Sequence, residues 1–282
     1  MSDATGLERL LRRDRVITGG GLGVLLLLAW LYLLAGAGMG MSAWDMTTLA
    51  LFPHKAGELM AGMAMPAAGE AGGMRASGWT AGGWALAVAM WWIMMAAMMA
   101  PSAAPTILLY ARVHRHASPR QPGLAPTAPF AAGYLVAWLG FALAAAGLQW
   151  SAQRLGWVSP ATMSSQSRWF SAAVLTATGL YQLTPLKQAC LNHCRSPAAF
   201  LSRYWRPGLT GALGLGVRHG AYCVGCCWML MALLFVGGVM NLAWIAVLAA
   251  LVLVEKLTAG GRRLGMAAGA LLVCWGVATV FV

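Results

Sequence analysis

An all-α, polytopic transmembrane helical bundle of about seven spans is the fold class that this sequence predicts, and three observations predict it. Of 282 residues, 60% are hydrophobic and only 9% are charged, with 14 Trp and 35 Gly, a composition too apolar for an ordinary soluble domain. Apolar runs recur along the chain at the length a bilayer requires, since a hydrocarbon core about 30 Å thick takes roughly 20 residues at 1.5 Å each. The basic residues fall between those runs in a pattern that fits a single orientation.

The first run, 16–37, follows a basic head containing Arg9, Arg12, Arg13 and Arg15. Ala35-Gly36-Ala37 resembles a small-residue cleavage site. A signal-peptide core is about 7–15 residues, however, and this run is longer, so a retained anchor is expected; cleavage would leave six spans. Residues 1–37 therefore read as a basic tail with its span, and 38–79 as a Met- and Gly-rich external loop carrying Asp45, Glu58 and Glu70. From 80 to 282 the chain reads as a six-span membrane domain, with runs at 87–110, 130–150, 169–185, 222–238, 242–256 and 264–282. Pro101 and Pro105 predict a kink or a helix end in the first of these. The Gly-rich stretch 207–217 is either a lead-in helix or the start of a longer fifth span.

Orientation follows from the loops that keep Lys and Arg. With the N-terminus cytoplasmic and the C-terminus external, only Lys55, Arg75, Arg154 and Arg168 of the 19 basic residues lie outside. This is the pattern of a multi-pass protein of the bacterial inner membrane. The net charge of +12 does not imply nucleic-acid binding, because the basic residues are scattered rather than gathered on one solvated face. Neither a phosphate loop, a dinucleotide fingerprint nor an HExxH pair is present, and no catalytic residue is assigned.

Sulfur is the chemistry that stands out. Cys190 and Cys194 follow the fourth run, Cys223, Cys226 and Cys227 open the fifth, and Cys274 is alone in the seventh. The first five are expected at the cytoplasmic face, where thiols stay reduced, so they suit a metal or redox site better than a disulfide framework. At 100° per residue His219, Cys223 and Cys226 fall within about 60° of helical arc, with Cys227 at the edge. Cys190 and Cys194 are one turn apart with His193 between them. Thiolate and imidazole donors suit Cu(I) or Zn²⁺, whereas Mg²⁺ and Ca²⁺ take oxygen.

Methionine supplies the other half. Met39, Met41, Met46, Met60, Met63, Met65 and Met74 lie in or beside the external loop. In WWIMMAAMMAP, Met90, Met94 and Met98 recur every four residues, with Met95 and Met99 beside them, forming a two-column stripe on one helix face. A thioether binds Cu(I) and cannot form a disulfide, so it suits an oxidising compartment. Glu255 closes the sixth run beside Lys256 at the expected inner interface; an ionisable group near hydrocarbon is a functional candidate, with a carboxylate that simply reaches the surface as the alternative.

Together these observations predict a metal-binding membrane protein that handles or imports Cu(I). External methionines capture the ion, the stripe passes it and the Cys/His set receives it. The expected partners are membrane lipid, a transition-metal ion and a metallochaperone or recipient metalloprotein, with no nucleic acid. Two alternatives stay open: a scaffold around a structural zinc, and a thiol-disulfide oxidoreductase using Cys223-Val224-Gly225-Cys226 as a CxxC pair.

The stretches MWWIMMAAMMAPSAAP, GLYQLTPLKQACLNHCRSP and HGAYCVGCCWMLMALLFVGGVMNLAWIAVLAALVLVEKL resemble, in that order, the bacterial membrane family catalogued as domain of unknown function 2182, described as predicted metal-binding proteins. The likeness runs over roughly 79–257. It implies metal binding and a multi-spanning helical fold, and its cysteine motifs map onto Cys190, Cys194, Cys223, Cys226 and Cys227. It implies no particular metal; copper is inferred from where the sulfur lies.

Overall fold

The computed structural model describes residues 19–37, 47, 79–117, 127–160 and 163–282. The external methionines, the basic head and nearly all of the 38–79 loop lie outside the described residues. Those described form helices α1 (Gly19–Leu34), α2 (Ala81–Ala117), α3 (Thr127–Arg154), α4 (Arg168–Leu183), α5 (Pro185–Arg195), α6 (Pro197–Tyr204), α7 (Gly208–Ala232), α8 (Leu234–Gly237), α9 (Leu242–Leu257) and α10 (Gly261–Phe281). Among them there is no strand, only an isolated bridge between Val158 and Ser165.

Four stretches are long and apolar enough to cross a membrane: Ala81–His114, Thr127–Arg154, Gly208–Gly237 and Gly261–Phe281. Helices α4 and α9 have 16 residues each, about 24 Å of rise. Side chains such as Leu143, Leu148, Val247, Leu271 and Phe281 stand exposed around the bundle, an outer surface compatible with lipid contact.

Three local features place the site. Helix α2 continues through Pro101 and Pro105 to Ala117, so the expected helix end is not there, and the Met stripe stays on one helix with the turns beyond it. Thr184 closes α4 and opens α5: its backbone N–H donates to the Tyr181 carbonyl and its side chain accepts from the Lys187 N–H. Pro185 follows as the first residue of α5, where its missing N–H costs nothing. The chain thereby bends and lays α5 along α7.

The third feature decides between the two readings of 207–217 in favour of the longer fifth span. Helix α7, which holds most of the expected fifth run, starts at Gly208 rather than at 222, with Pro207 as its N-cap, so 208–217 supplies its first turns. His219, Cys223, Cys226 and Cys227 are therefore in the interior of a long helix, not at its mouth. The glycines that dilute the apolar signal there are packing positions. A Cβ on Gly216 would lie 2.0 Å from the Phe130 carbonyl oxygen, and one on Gly133 would lie 2.2 Å from that of Leu213. Bare backbone lets α3 and α7 touch along this seam, the usual device of closely packed membrane helices.

Candidate metal centre

Met90, Met94, Met95, Met98 and Met99 are all buried on the inner face of α2. The stripe ends on thiols, with the Met99 Sδ 3.8 Å from the Cys227 Sγ of α7. One turn back, the Cys223 Sγ lies 3.2 Å from the Tyr134 hydroxyl of α3, and that hydroxyl also reaches the Met99 carbonyl at 3.2 Å. From α5, Cys194 hydrogen-bonds with Cys223 and Cys226. Those two bonds, then burial, push its thiol well above the ordinary range. Cys190 packs on the bare face of Gly225, where a Cβ would come within 2.9 Å of its Sγ; burial, then the neighbouring Cys226, push its thiol up as well.

Three helices thus bring thioether and thiol sulfur into one buried cluster at the junction of α2, α5 and α7. A family model described as a copper chaperone, PpoB2, matches residues 88–279. This chain belongs to that copper chaperone family. The match takes in the Met stripe and every Cys and His of the expected set, in keeping with the metal-related family expected from the motifs. No curated protein and no solved structure matches the chain.

For a member of a copper family, the donors fit a soft monovalent ion, and two of the thiols are hydrogen-bonded to backbone. The thiols of Cys226 and Cys227 donate to the Cys223 carbonyl at 3.1 and 3.0 Å. Among the described residues, no group of three or more His, Cys, Asp or Glu is arranged to hold a metal ion. His219 is buried between the rings of Phe130, Tyr134 and Phe200, and its Nδ1 has no hydrogen-bond partner. An orphaned buried nitrogen carries a desolvation cost that a ligand would relieve.

His193 is placed differently. It stacks on Tyr222 at 4.1 Å and 5°, and its Nδ1 is 2.8 Å from the Ala189 carbonyl, so it sits on the outer side of α5, apart from the sulfur. Cys274 is exposed and alone on α10. All six cysteines are free thiols.

The charged residues depart most from expectation. Glu255 and Lys256, read from the sequence as interfacial, are 1% and 6% exposed. Lys187, counted from the sequence among the loop cations, is 1% exposed. Its Nζ pairs with the Glu255 Oε2 at 2.6 Å and also contacts the Gln182 Oε1. The Gln182 Nε2 donates to the Glu255 Oε1 at 3.0 Å. Lys256 points the other way and donates to the Cys223 Sγ at 2.9 Å and to the Ser102 Oγ at 3.0 Å. Sequence reasoning missed Lys256, Tyr134 and Ser102 as parts of this centre. The signal available was an acid–base pair ending an otherwise apolar helix, LAWIAVLAALVLVEKL, which a membrane segment keeps only with partners.

Proposed function

We propose that this protein binds Cu(I) in its buried sulfur cluster and passes it between methionine and cysteine ligands within a bundle set in the bacterial inner membrane. The observation that carries the reading is the contact between Met99 and Cys227, which joins the thioether column of α2 to the thiols of α7. Thioether is the weaker donor and thiolate the stronger, so an ion entering along Met90, Met94, Met95, Met98 and Met99 moves downhill to Cys194, Cys223, Cys226 and Cys227, with His219 as the nitrogen donor. In the proposed topology the N-terminus is cytoplasmic, the C-terminus is external and there are about seven spans, with the shorter helices accommodated by local thinning of the bilayer. External methionines then capture copper, and a metallochaperone or recipient metalloprotein takes it on the cytoplasmic side. No catalytic step is proposed.

Copper content decides the binding reading. Protein purified anaerobically after loading with Cu(I) should carry the ion, and the Cys223→Ser/Cys226→Ser double variant should lose most of it while remaining folded. Equal copper in both, by elemental analysis, refutes the site. Passage is a separate question, because Met94→Leu/Met98→Leu keeps the volume and apolar character of the stripe and removes two sulfurs. Cells expressing this variant should accumulate copper no faster than cells without the protein; accumulation at the wild-type rate takes the stripe out of the path.

A further inference from the structure

We infer that Lys256 is a built-in competitor for the copper site: its ammonium holds the Cys223 sulfur when copper is absent, gives it up when Cu(I) binds, and returns to drive the ion off. The inference rests on the binding site proposed above and adds a residue that controls release from it.

Charge and geometry carry it. Among the described residues the buried cations are Lys187 and Lys256, and the buried carboxylate is Glu255. Lys187 and Gln182 already engage both oxygens of that carboxylate. An ammonium this deep needs an anion or a full set of acceptors. Lys256 finds Cys223 and Ser102. Its direction is set by the chain, since Glu255, one residue earlier, is tied to α5 through Lys187 while Lys256 reaches across to α7 and α2. The same Cys223 sulfur faces the Tyr134 hydroxyl, so the central thiol of the cluster is engaged from two sides at rest.

The exchange balances. With Cys223 as the thiolate that the ammonium faces, one Cu–S bond forms as one N–H···S hydrogen bond breaks, the ammonium keeps its proton and its bond to Ser102, any further thiol that binds gives its proton to water, and copper stays Cu(I). One monocation replaces another on the same sulfur. Release is the reverse: a donor atom of the recipient becomes the new ligand of Cu(I) while the tethered ammonium re-forms its hydrogen bond to the Cys223 sulfur, so copper leaves without stranding a bare thiolate in the interior.

The test is the rate at which copper-loaded protein in detergent, under anaerobic conditions, gives Cu(I) to a chromophoric water-soluble chelator. Lys256→Gln retains a donor toward Ser102 and Cys223 but lacks the charge, and should release copper about tenfold more slowly than wild type, most of the change lying in the dissociation rate. Lys256→Arg keeps a cation and should restore much of the wild-type rate. Copper per protein at saturation and the thermal midpoint, measured on the same samples, report folding, which a purely structural lysine would disturb in both variants alike. Release from Lys256→Gln as fast as from wild type, or faster, overturns the inference while leaving copper binding intact. Wild-type protein that takes up no Cu(I) overturns the site itself, and the competitor with it.

Discussion

Replacing Glu255 by Ala should destabilise the protein by about 3–5 kcal/mol, a loss large enough to show as a strongly lowered thermal midpoint in detergent and a shift toward aggregate on size exclusion. The substitution strands the Lys187 ammonium, which is almost fully buried and paired with Glu255 at 2.6 Å, and removes the acceptor of the Gln182 amide. Much of the cost is that of the orphan charge rather than the worth of the pair. The double variant Lys187→Met/Glu255→Leu should therefore recover most of the stability, as apolar replacements of buried pairs commonly do. Glu255→Gln should be milder, because it preserves the shape that fits against Gly265, where a Cβ would lie 2.9 Å from the carboxylate. A midpoint within experimental error of wild type for Glu255→Ala would show that the pair is wetted or dispensable. The pair also ties α9 to α5, and α9 carries Lys256 while α5 carries Cys190 and Cys194, so copper content should fall along with stability.

The second large effect is steric. Gly216→Leu should abolish the folded state, because the new Cβ would meet the Phe130 carbonyl oxygen at 2.0 Å, and backbone cannot swing aside as a flexible side chain can. Overpacking typically costs about 1–3 kcal/mol where side chains repack. Here α3 must separate from α7, so a loss above about 4 kcal/mol is expected. Gly214→Ala is the control two residues away: a Cβ there meets nothing within 4 Å, and alanine gains roughly 0.5–1 kcal/mol over glycine in a helix interior. Comparable yields of monodisperse protein for the two variants would contradict the seam. Function is coupled to it, since separation of α3 from α7 would draw the Tyr134 hydroxyl away from Cys223.

Much of the candidate site was legible because its logic is local. The four-residue recurrence of Met90, Met94 and Met98, and the one-turn step from His219 to Cys223, are set by helix geometry alone. So is the pairing of Cys190 with Cys194. What spacing could not show is which of these faces meet. His193 and Cys194 are neighbours in sequence, yet one stacks on Tyr222 at the outside while the other joins Cys223 and Cys226. The start of α7 stays open in the sequence for a related reason: Gly, Arg and His in 208–221 lower hydropathy, while the glycines there serve the contact with Gly133 and Phe130. A sliding measure of apolarity registers a glycine as weak signal, whereas packing treats it as the point of closest approach.

The sequence by itself determined that this chain is helical, apolar enough to meet a membrane, rich in soft ligands arranged by helical turn, and related by its motifs to a metal-binding family. These properties depend on residue type and short-range period, which survive without knowledge of the fold. Only the tertiary structure decided that the Met99 and Cys227 sulfurs touch, that Lys187 and Glu255 neutralise each other inside the bundle, and that Lys256 turns away from the surface toward Cys223. Those outcomes depend on long-range approach between helices, and a lysine at a helix end reads the same in sequence whether it snorkels to water or reaches inward to a thiol.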